Sequence, residues 1–385
     1  MGFPENAKNA KSVADVPLWE RYAEQFPVRQ NLIYLNHAAV SPLSKPAADA
    51  MQHLADDCLR FGSLHYDRWL EVYDQLRVAA ATLIGADPAE IALMKNTSEG
   101  ISTIATGLDW RPGDRIVGFR EEFPSNQYPW QRLEKRGVSV TWLSVTDPLD
   151  RIDEACRGAR LLAISFVQFL SGFRAPLQAI GEICRRNGTI FLVDAIQGLG
   201  AFPIDVRACG IHALASDGHK WMMGPEGCGI LYVQRDFMEQ VEPIEFGWTN
   251  VAGYNDYESR DMSLRADAGR YEPGTLNTIG CFGLKAAIEF LLEVNPTEIG
   301  PVVQELGDRI ARGVQAKRYE TIIQRTPQNG AGIVAFRKPG LDSRVVVQKL
   351  KDAKIVTAAR AGWVRAAPHF YIQPDEIDRM VEVLP

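Results

Sequence analysis

The sequence predicts an α/β fold with a mostly parallel central sheet that is covered by helices. Between about residues 90 and 235, short β-branched and apolar runs alternate with helical patterns, and this alternation is typical of a parallel sheet. Residues 161–167 and 190–193 are almost continuously apolar, as expected of strands that are buried on both faces. The order of the elements and the apolar character of the strands together predict the fold class.

The pattern changes after about residue 285. Amphipathic helical stretches at 301–318 and 344–353 flank a short strand-like run at 332–336, which is typical of an α+β domain. We therefore expect three parts, namely an N-terminal segment at 1–30, a large α/β domain at 31–284 and a small C-terminal α+β domain at 285–385.

The charge balance argues against a nucleic-acid partner. The 385 residues include 42 Lys and Arg against 48 Asp and Glu, a net charge of −6, whereas a nucleic-acid surface normally carries a basic excess. The six cysteines form no C-x-x-C pair and the histidines show no metal-ligand spacing, so we predict reduced thiols and no metal site. The first 17 residues lack the apolar core of a secretory signal, and no apolar run is long enough to cross a bilayer. We expect a cytoplasmic protein with a small-molecule partner and no membrane contact.

A lysine in an unusual context follows a short apolar strand that we predict at 211–215. Lys220 stands between His219 and Trp221 in the sequence Ser-Asp-Gly-His-Lys-Trp. One interpretation is a cleft lysine whose pKa is lowered, as a Schiff-base nucleophile requires. The other is a solvated lysine beside a core tryptophan, and the motif alone leaves both open.

A carboxylate and an amide follow the apolar run at 190–193. In open parallel sheets, ligands bind at the carboxyl ends of the strands. Asp194 at this edge is placed to pair with a protonated ring nitrogen, and Gln197 to reach a neighbouring ring substituent. The alternative is that Asp194 only caps a following helix.

A third candidate is the predicted helix start near Thr97 and Ser98. Asn96 followed by Glu99 has the spacing of a helix cap. The same start is also a possible anion site, because it combines free N–H groups, the positive end of the helix dipole and two hydroxyls.

Together these motifs resemble the class V aminotransferase group of fold-type I pyridoxal 5'-phosphate (PLP) enzymes, which includes cysteine desulfurases, isopenicillin-N-epimerase-like proteins and kynureninases. The resemblance extends from Tyr-Leu-Asn-His-Ala-Ala at 34–39 to Pro-His-Phe-Tyr at 368–371. It rests on D-x-x-Q at 194–197, G-H-K at 218–220 and R-Y-E-x-G-T-x-N at 270–277. The resemblance implies a PLP cofactor, a fold of PLP type I and a homodimer with shared active sites.

The resemblance also implies roles for individual residues. Lys220 would bind the cofactor as a Schiff base and move protons, while Asp194 would hold the pyridinium nitrogen. Gln197 would contact the phenolic oxygen. The phosphate would be bound by Thr97 and Ser98, with His219 nearby. Thr275 would contact the cofactor phosphate in the partner subunit. Trp248 would lie near the dimer interface.

Three departures from the family pattern narrow the function. Phe123 stands where cysteine desulfurases have a ring-stacking histidine, and a phenylalanine can stack but cannot carry a proton. No cysteine follows Cys281, so the persulfide-forming cysteine of desulfurases has no counterpart in residues 359–365. Asp217 replaces a serine that binds the phosphate in many relatives. Either Ser216 takes that role or Asp217 points away, since an ionised carboxylate repels phosphate.

The remaining candidates concern the substrate. Arg365, and secondarily Arg360, would grip a carboxylate by paired hydrogen bonds, and His37 would line the cleft. We expect an aminotransferase that acts on the amino group of an amino acid or a related small acid. A PLP-dependent lyase or epimerase and a PLP-binding protein without activity stay as alternatives.

Overall fold

A computed structural model describes residues 16–385 of the chain. Residues 1–15 of the predicted N-terminal segment, and with them most of the stretch that bears on a secretory signal, lie outside the described residues. Twelve α-helices and thirteen β-strands are described, together with several short 3-10 turns. Among the described residues, none of the helices has the length and apolar character needed to cross a membrane.

A seven-stranded sheet forms the centre of the large domain, in the order β2-β8-β7-β6-β5-β3-β4. The pairs within β3 to β7 are parallel, and β8 alone runs antiparallel to its neighbours β2 and β7. This arrangement confirms the predicted mostly parallel sheet. The strands are β2 (Ile91–Met94), β3 (Arg115–Phe119), β4 (Ser139–Leu143), β5 (Leu161–Ser165), β6 (Ile190–Asp194), β7 (Ala213–Asp217) and β8 (Gly229–Val233).

Helices cover both faces of this sheet. Alternate residues of one strand belong to two separate cores, so that Leu162 faces one core and Leu161 the other. This double burial explains why the central strands are continuously apolar. The helices up to α8 are α1 (Leu18–Arg21), α2 (Lys45–Phe61), α3 (Tyr66–Ile84), α4 (Thr97–Gly107), α5 (Tyr128–Arg132), α6 (Leu149–Cys156), α7 (Leu177–Asn187) and α8 (Arg235–Met238).

The C-terminal part contains a four-stranded antiparallel sheet in the order β12-β13-β10-β9. Its strands are β9 (Glu320–Thr321), β10 (Val334–Arg337), β12 (Ala358–Arg360) and β13 (Trp363–Ala366), and its helices are α10 (Pro296–Ala316), α11 (Ser343–Asp352) and α12 (Pro374–Val383). Helix α9 (Thr278–Val294) runs through the boundary that we predicted at 284 and packs against α2 and α3. The division into domains stays a prediction.

The two ends of the described chain pack together. Strand β1 (Ile33–Tyr34) pairs in parallel with β11 (Ile355–Val356). The ring of Phe26 stacks on that of Tyr371, with 3.8 Å between their centres. Phe26 and strand β1 therefore pack against the C-terminal part of the chain.

Candidate active site

A cavity of about 400 Å³ opens at the carboxyl ends of β5, β6 and β7. This is the edge at which parallel sheets bind ligands. The main chain at 38–40, the start of α4 and the small antiparallel sheet complete the wall. The lining residues are Ala38, Ala39, Val40, Asn96, Thr97, Ser98, Phe123, Ser125, Ser165, Phe169, Asp194, Ile196, Gln197, Asp217, His219, Lys220, Arg360 and Arg365.

Lys220 lies in this cavity three residues after β7 ends. Burial lowers the pKa of Lys220 to about 8, and the positive charge of Arg365 adds to that effect while the carboxylate of Asp194 opposes it. Its Nζ lies 5.9 Å from the centre of the Phe123 ring. A lysine with this pKa is neutral far more often at physiological pH than an ordinary surface lysine, as a nucleophile requires.

Asp194 ends β6 and its carboxylate is 3% exposed. Its Oδ1 accepts a hydrogen bond from the Ile196 N–H at 3.1 Å. The capping interpretation is wrong, because within the described chain no helix begins between β6 and β7. Burial raises the pKa of Asp194 to about 6, and the charge of Lys220 partly offsets this effect.

Gln197 is buried, and both the nitrogen and the oxygen of its amide form hydrogen bonds. Its Nε2 donates to the Ala38 carbonyl at 3.0 Å, and its Oε1 accepts from the Trp221 indole N–H at 2.9 Å. Because an amide nitrogen carries two hydrogens, one stays available towards the cavity. Trp221 thus orients Gln197 while it packs in the core directly after Lys220.

The predicted cap at the α4 start is present, and the anion site at the same place stays a prediction. The Asn96 Oδ1 accepts from the Glu99 N–H at 2.9 Å and caps the helix. Thr97 and Ser98 line the cavity, and the hydroxyl of Ser98 lies 2.7 Å from that of Ser125. The first N–H groups of a helix have no carbonyl partner within it, so this corner attracts anions.

Phe123 presents an aromatic face to the cavity. Its ring meets that of Phe169 edge-on, with 5.3 Å between the centres and an angle of 74°. The preceding residue, Glu122, is buried and accepts a hydrogen bond from the Ser165 N–H at 2.6 Å. Burial raises the pKa of Glu122 to about 8.

The two arginines differ in their surroundings. Arg365 on β13 is 3% exposed, donates to the Phe169 carbonyl at 2.8 Å, and its Nε has no partner among the described residues. Burial lowers the pKa of Arg365 to about 10, with a contribution from the charge of Arg360. Arg360 is exposed and donates to the carbonyl of Ala359. A buried guanidinium with a spare N–H is the better carboxylate ligand.

Four predicted site residues do not line this cavity. His37 is fully buried, with Nδ1 2.7 Å from the Ala367 carbonyl and Nε2 2.7 Å from the Tyr371 hydroxyl, so both ring nitrogens are occupied. Burial lowers the pKa of His37 to about 3. Ser216 points to the opposite face of β7 from Asp217, because side chains alternate along a strand. Trp248 and Thr275 instead line a separate surface groove.

The sequence reasoning missed several lining residues. Ser165 ends β5 beside Asp194, and the rule about strand ends would have found it. Phe169 lies in a loop and Ser125 in the short 3-10 turn Pro124–Asn126, and no local sequence pattern marks either residue as part of the site. Among the described residues, no group of three or more His, Cys, Asp or Glu could hold a metal ion.

The chain resembles known proteins over nearly its whole length. It is 30% identical to a probable cysteine desulfurase of Pyrococcus abyssi, over 95% of this chain and 96% of that one. The structure matches the apo cysteine desulfurase of Thermococcus onnurineus NA1 with a TM-score of 0.88 at 28% identity, covering 94% and 96% of the two chains. It matches the cystine C–S lyase C-DES, solved with its product cysteine persulfide, with a TM-score of 0.86 at 25% identity, covering 93% and 98%.

The profile of one protein family, "Aminotransferase class-V", matches residues 33–372. A mutant of C-DES, which shares this fold, has been solved with glycine covalently linked to its PLP cofactor. The resemblance drawn from the sequence motifs is therefore confirmed, and so is the predicted fold type. The chain belongs to the class V aminotransferase family, and its cofactor is pyridoxal 5'-phosphate.

Proposed function

We propose that this protein is an enzyme that acts on the α-amino group of an amino acid or related small acid, with aminotransferase as the leading activity. One observation carries the proposal: Lys220, Asp194 and Arg365 line a single cavity. They supply an amine of lowered pKa, a buried carboxylate and a buried guanidinium. These are the groups needed to bind the cofactor and an amino-acid carboxylate.

The residues around the cavity fit PLP. Lys220 would bind the aldehyde carbon covalently, Asp194 would keep the pyridine nitrogen protonated, and the start of α4 would hold the phosphate. Phe123 would stack on the ring. When bound, the cofactor supplies an electron sink for negative charge at the substrate α-carbon. The one misfit is Asp217, whose carboxylate also lines the cavity.

The protein's own groups divide the work on the substrate. Arg365 would grip the carboxylate with two parallel N–H···O bonds and thereby fix the orientation of the α-carbon. Lys220, once released from the cofactor, is the base that would take the proton from that carbon. His37 plays no part in this scheme, because its ring nitrogens are both engaged.

A lyase that cleaves a C–S bond without a protein persulfide is the second candidate. None of the six cysteines, all of which lie within the described residues, lines the cavity. The proposal therefore does not include a mechanism in which sulfur passes to a cysteine at the site. Elimination needs no such cysteine. The match to C-DES supports this candidate.

The fate of the amino group separates the two activities. We would incubate the holoenzyme with a panel of amino acids, cystine included, and measure 2-oxo acid and ammonia. Amino transfer yields 2-oxo acid without ammonia and requires an acceptor for repeated turnover. Elimination yields pyruvate and ammonia together. Inversion of the α-carbon without either product would indicate an epimerase, and no change in any substrate would indicate a binding protein.

We expect no persulfide on this protein after incubation with cysteine. The reason is that none of the cysteines lines the cavity in which the substrate would react. Cys228 and Cys281 are buried beside each other, with 3.9 Å between their Sγ atoms. Mass spectrometry of the intact protein tests this, with Cys58→Ser as a control for adducts on an exposed thiol. A sulfur adduct on a cysteine that is essential for turnover would contradict the prediction.

We further propose a homodimer in which each subunit completes the other's site. Trp248, Thr275 and Tyr66 line one groove away from the subunit's own cavity. Large apolar side chains close in sequence to Tyr66 and Trp248 are exposed, and contiguous exposed apolar patches mark interaction surfaces. They are Leu59, Phe61, Leu64, Phe246, Tyr257 and Met262.

Thr275→Val should weaken PLP retention about tenfold or more and leave the fold intact. Losing a hydroxyl bond to a charged phosphate costs about 1.5–3 kcal/mol. PLP affinity by equilibrium dialysis measures the effect, with the exposed helical Thr82→Val as a matched control.

Mixing chains tests the exchange between subunits. In a heterodimer with Lys220→Ala, the Thr275→Val chain keeps its own Lys220 and receives a normal Thr275 from its partner. That site should regain normal PLP affinity. A fully active monomer in sedimentation, or no regain on mixing, would overturn the dimer proposal.

A further inference from the structure

A buried carboxylate with one unpartnered oxygen lies at the proposed anion-binding corner of the cavity. Asp217 lines the cavity and is 5% exposed. Its Oδ1 has no hydrogen-bond partner among the described residues. Its Oδ2 lies 3.1 Å from Nδ1 of His219, without the alignment of a hydrogen bond. Buried charged oxygens are normally paired, because burial without a partner is costly.

The position of Asp217 relative to α4 is fixed by its backbone. The Asp217 N–H donates to the Oγ1 of Thr97 at 2.9 Å. This contact joins the end of β7 to the first residue of α4, whose N–H groups and helix dipole attract anions. The Asp217 carboxylate therefore shares one corner with the groups that would bind a phosphate.

The Asp217 carboxylate and the start of α4 have opposite effects on a bound phosphate. A phosphate ester carries a charge of roughly −1.5 to −2 at neutral pH, and a carboxylate in the same low-dielectric corner repels it. The ammonium form of Lys220 is a cationic group beside Asp217 that offsets part of this repulsion, and the His219 ring also lies next to the carboxylate. Thr97 and Ser98 on the facing helix are uncharged and do not compensate for it.

We propose that Asp217 limits the affinity of this protein for the phosphate group of its cofactor. With Asp217 in place, PLP is held less tightly and exchanges more readily than in a variant with a neutral side chain here. The inference rests on the proposed placement of the phosphate at the start of α4. It concerns the phosphate, so the affinity for pyridoxal, which lacks that group, should depend far less on Asp217 than the affinity for PLP does.

Cofactor binding rather than turnover tests this proposal. Holoenzyme is stripped and reloaded with PLP or with pyridoxal, and tryptophan fluorescence gives both dissociation constants. Asp217→Asn, which keeps the size of the side chain, should raise the affinity for PLP at least tenfold and leave that for pyridoxal within twofold. Asp217→Ser should change PLP affinity in the same direction, which keeps the test valid if the amide perturbs folding. Glu382→Gln, which removes an exposed charge on α12 away from the cavity, should change neither constant.

Ser98→Ala separates the two ways in which the proposal can fail. If Ser98→Ala weakens PLP binding while the Asp217 variants leave it unchanged or weaken it, the phosphate lies at α4 and the role of Asp217 is wrong. If neither Ser98 nor Asp217 affects PLP binding, the placement of the phosphate is wrong as well. Equal strengthening of PLP and pyridoxal would also overturn the proposal, because the effect would then not involve the phosphate.

Discussion

Lys220→Ala is expected to abolish turnover while the fold and non-covalent PLP binding persist. The side chain has two tasks, covalent attachment of the cofactor and proton transfer at the substrate, and alanine removes both. Loss of a positioned base alone typically costs 10²- to 10⁴-fold in rate. Turnover with the best substrate of the panel measures the effect, and the exposed lysine variant Lys351→Ala is the matched control that should stay active.

Covalent labelling identifies the lysine directly. Borohydride reduction of the holoenzyme should attach the cofactor to the peptide that contains Lys220. The cofactor on any other lysine would refute the assignment.

The pH dependence of cofactor attachment tests the role of Lys220 in a second way. Because burial lowers the pKa of Lys220 to about 8, its neutral amine is depleted below that pH and predominates above it. The rate of attachment should therefore rise with pH and level off a little above 8. A rate that keeps rising towards the range of an ordinary lysine would show that Lys220 is not desolvated.

Asp194→Asn is expected to slow proton removal from the substrate α-carbon on the order of 10²- to 10³-fold, the range seen when one preorganised electrostatic partner is lost. The amide keeps the shape of the side chain but removes the charge that would keep the pyridine nitrogen protonated. Single-turnover kinetics with α-deuterated substrate isolate the step. An unchanged rate would contradict the role of Asp194.

A carboxylate elsewhere on the chain provides the control for Asp194. Asp236 in α8 is exposed and does not line the cavity. Asp236→Asn should leave the single-turnover rate unchanged, and PLP affinity should be measured for both variants. If Asp194→Asn binds PLP more weakly, the rates are measured at saturating PLP. The comparison between the two variants then concerns only the chemical step.

The central part of the site was predictable because strand ends are local features of a sequence. The runs at 161–167 and 190–193 predicted β5 and β6, and Asp194, which follows the second run, had to lie at the carboxyl edge of the sheet, where ligands bind. Lys220 was found by the same reasoning, although β7 ends at Asp217 rather than at residue 215. That shift of two residues is the usual uncertainty at an element's end.

The errors have a different physical origin. His37 was expected at the cleft, but tertiary contacts with Ala367 and Tyr371 turn its ring into the protein interior. Ser216 was expected at the phosphate, and the choice between it and Asp217 depended on which face of β7 each residue takes. Neighbouring residues in the sequence do not predict a contact with a residue hundreds of positions away. They also do not predict which side chains of a five-residue strand lie on which face.

The pairing of β1 with β11 has a consequence for how the protein reaches its native state. During synthesis β1 is made long before its partner strand β11, and the contact between His37 and Tyr371 joins residues 334 positions apart. Such non-local contacts form slowly, because a long loop must close first. Emerging chains must therefore keep β1 unpaired until β11 has been made. Arg365 on β13 is made later still, so the carboxylate site proposed for Arg365 cannot form before that stage of synthesis.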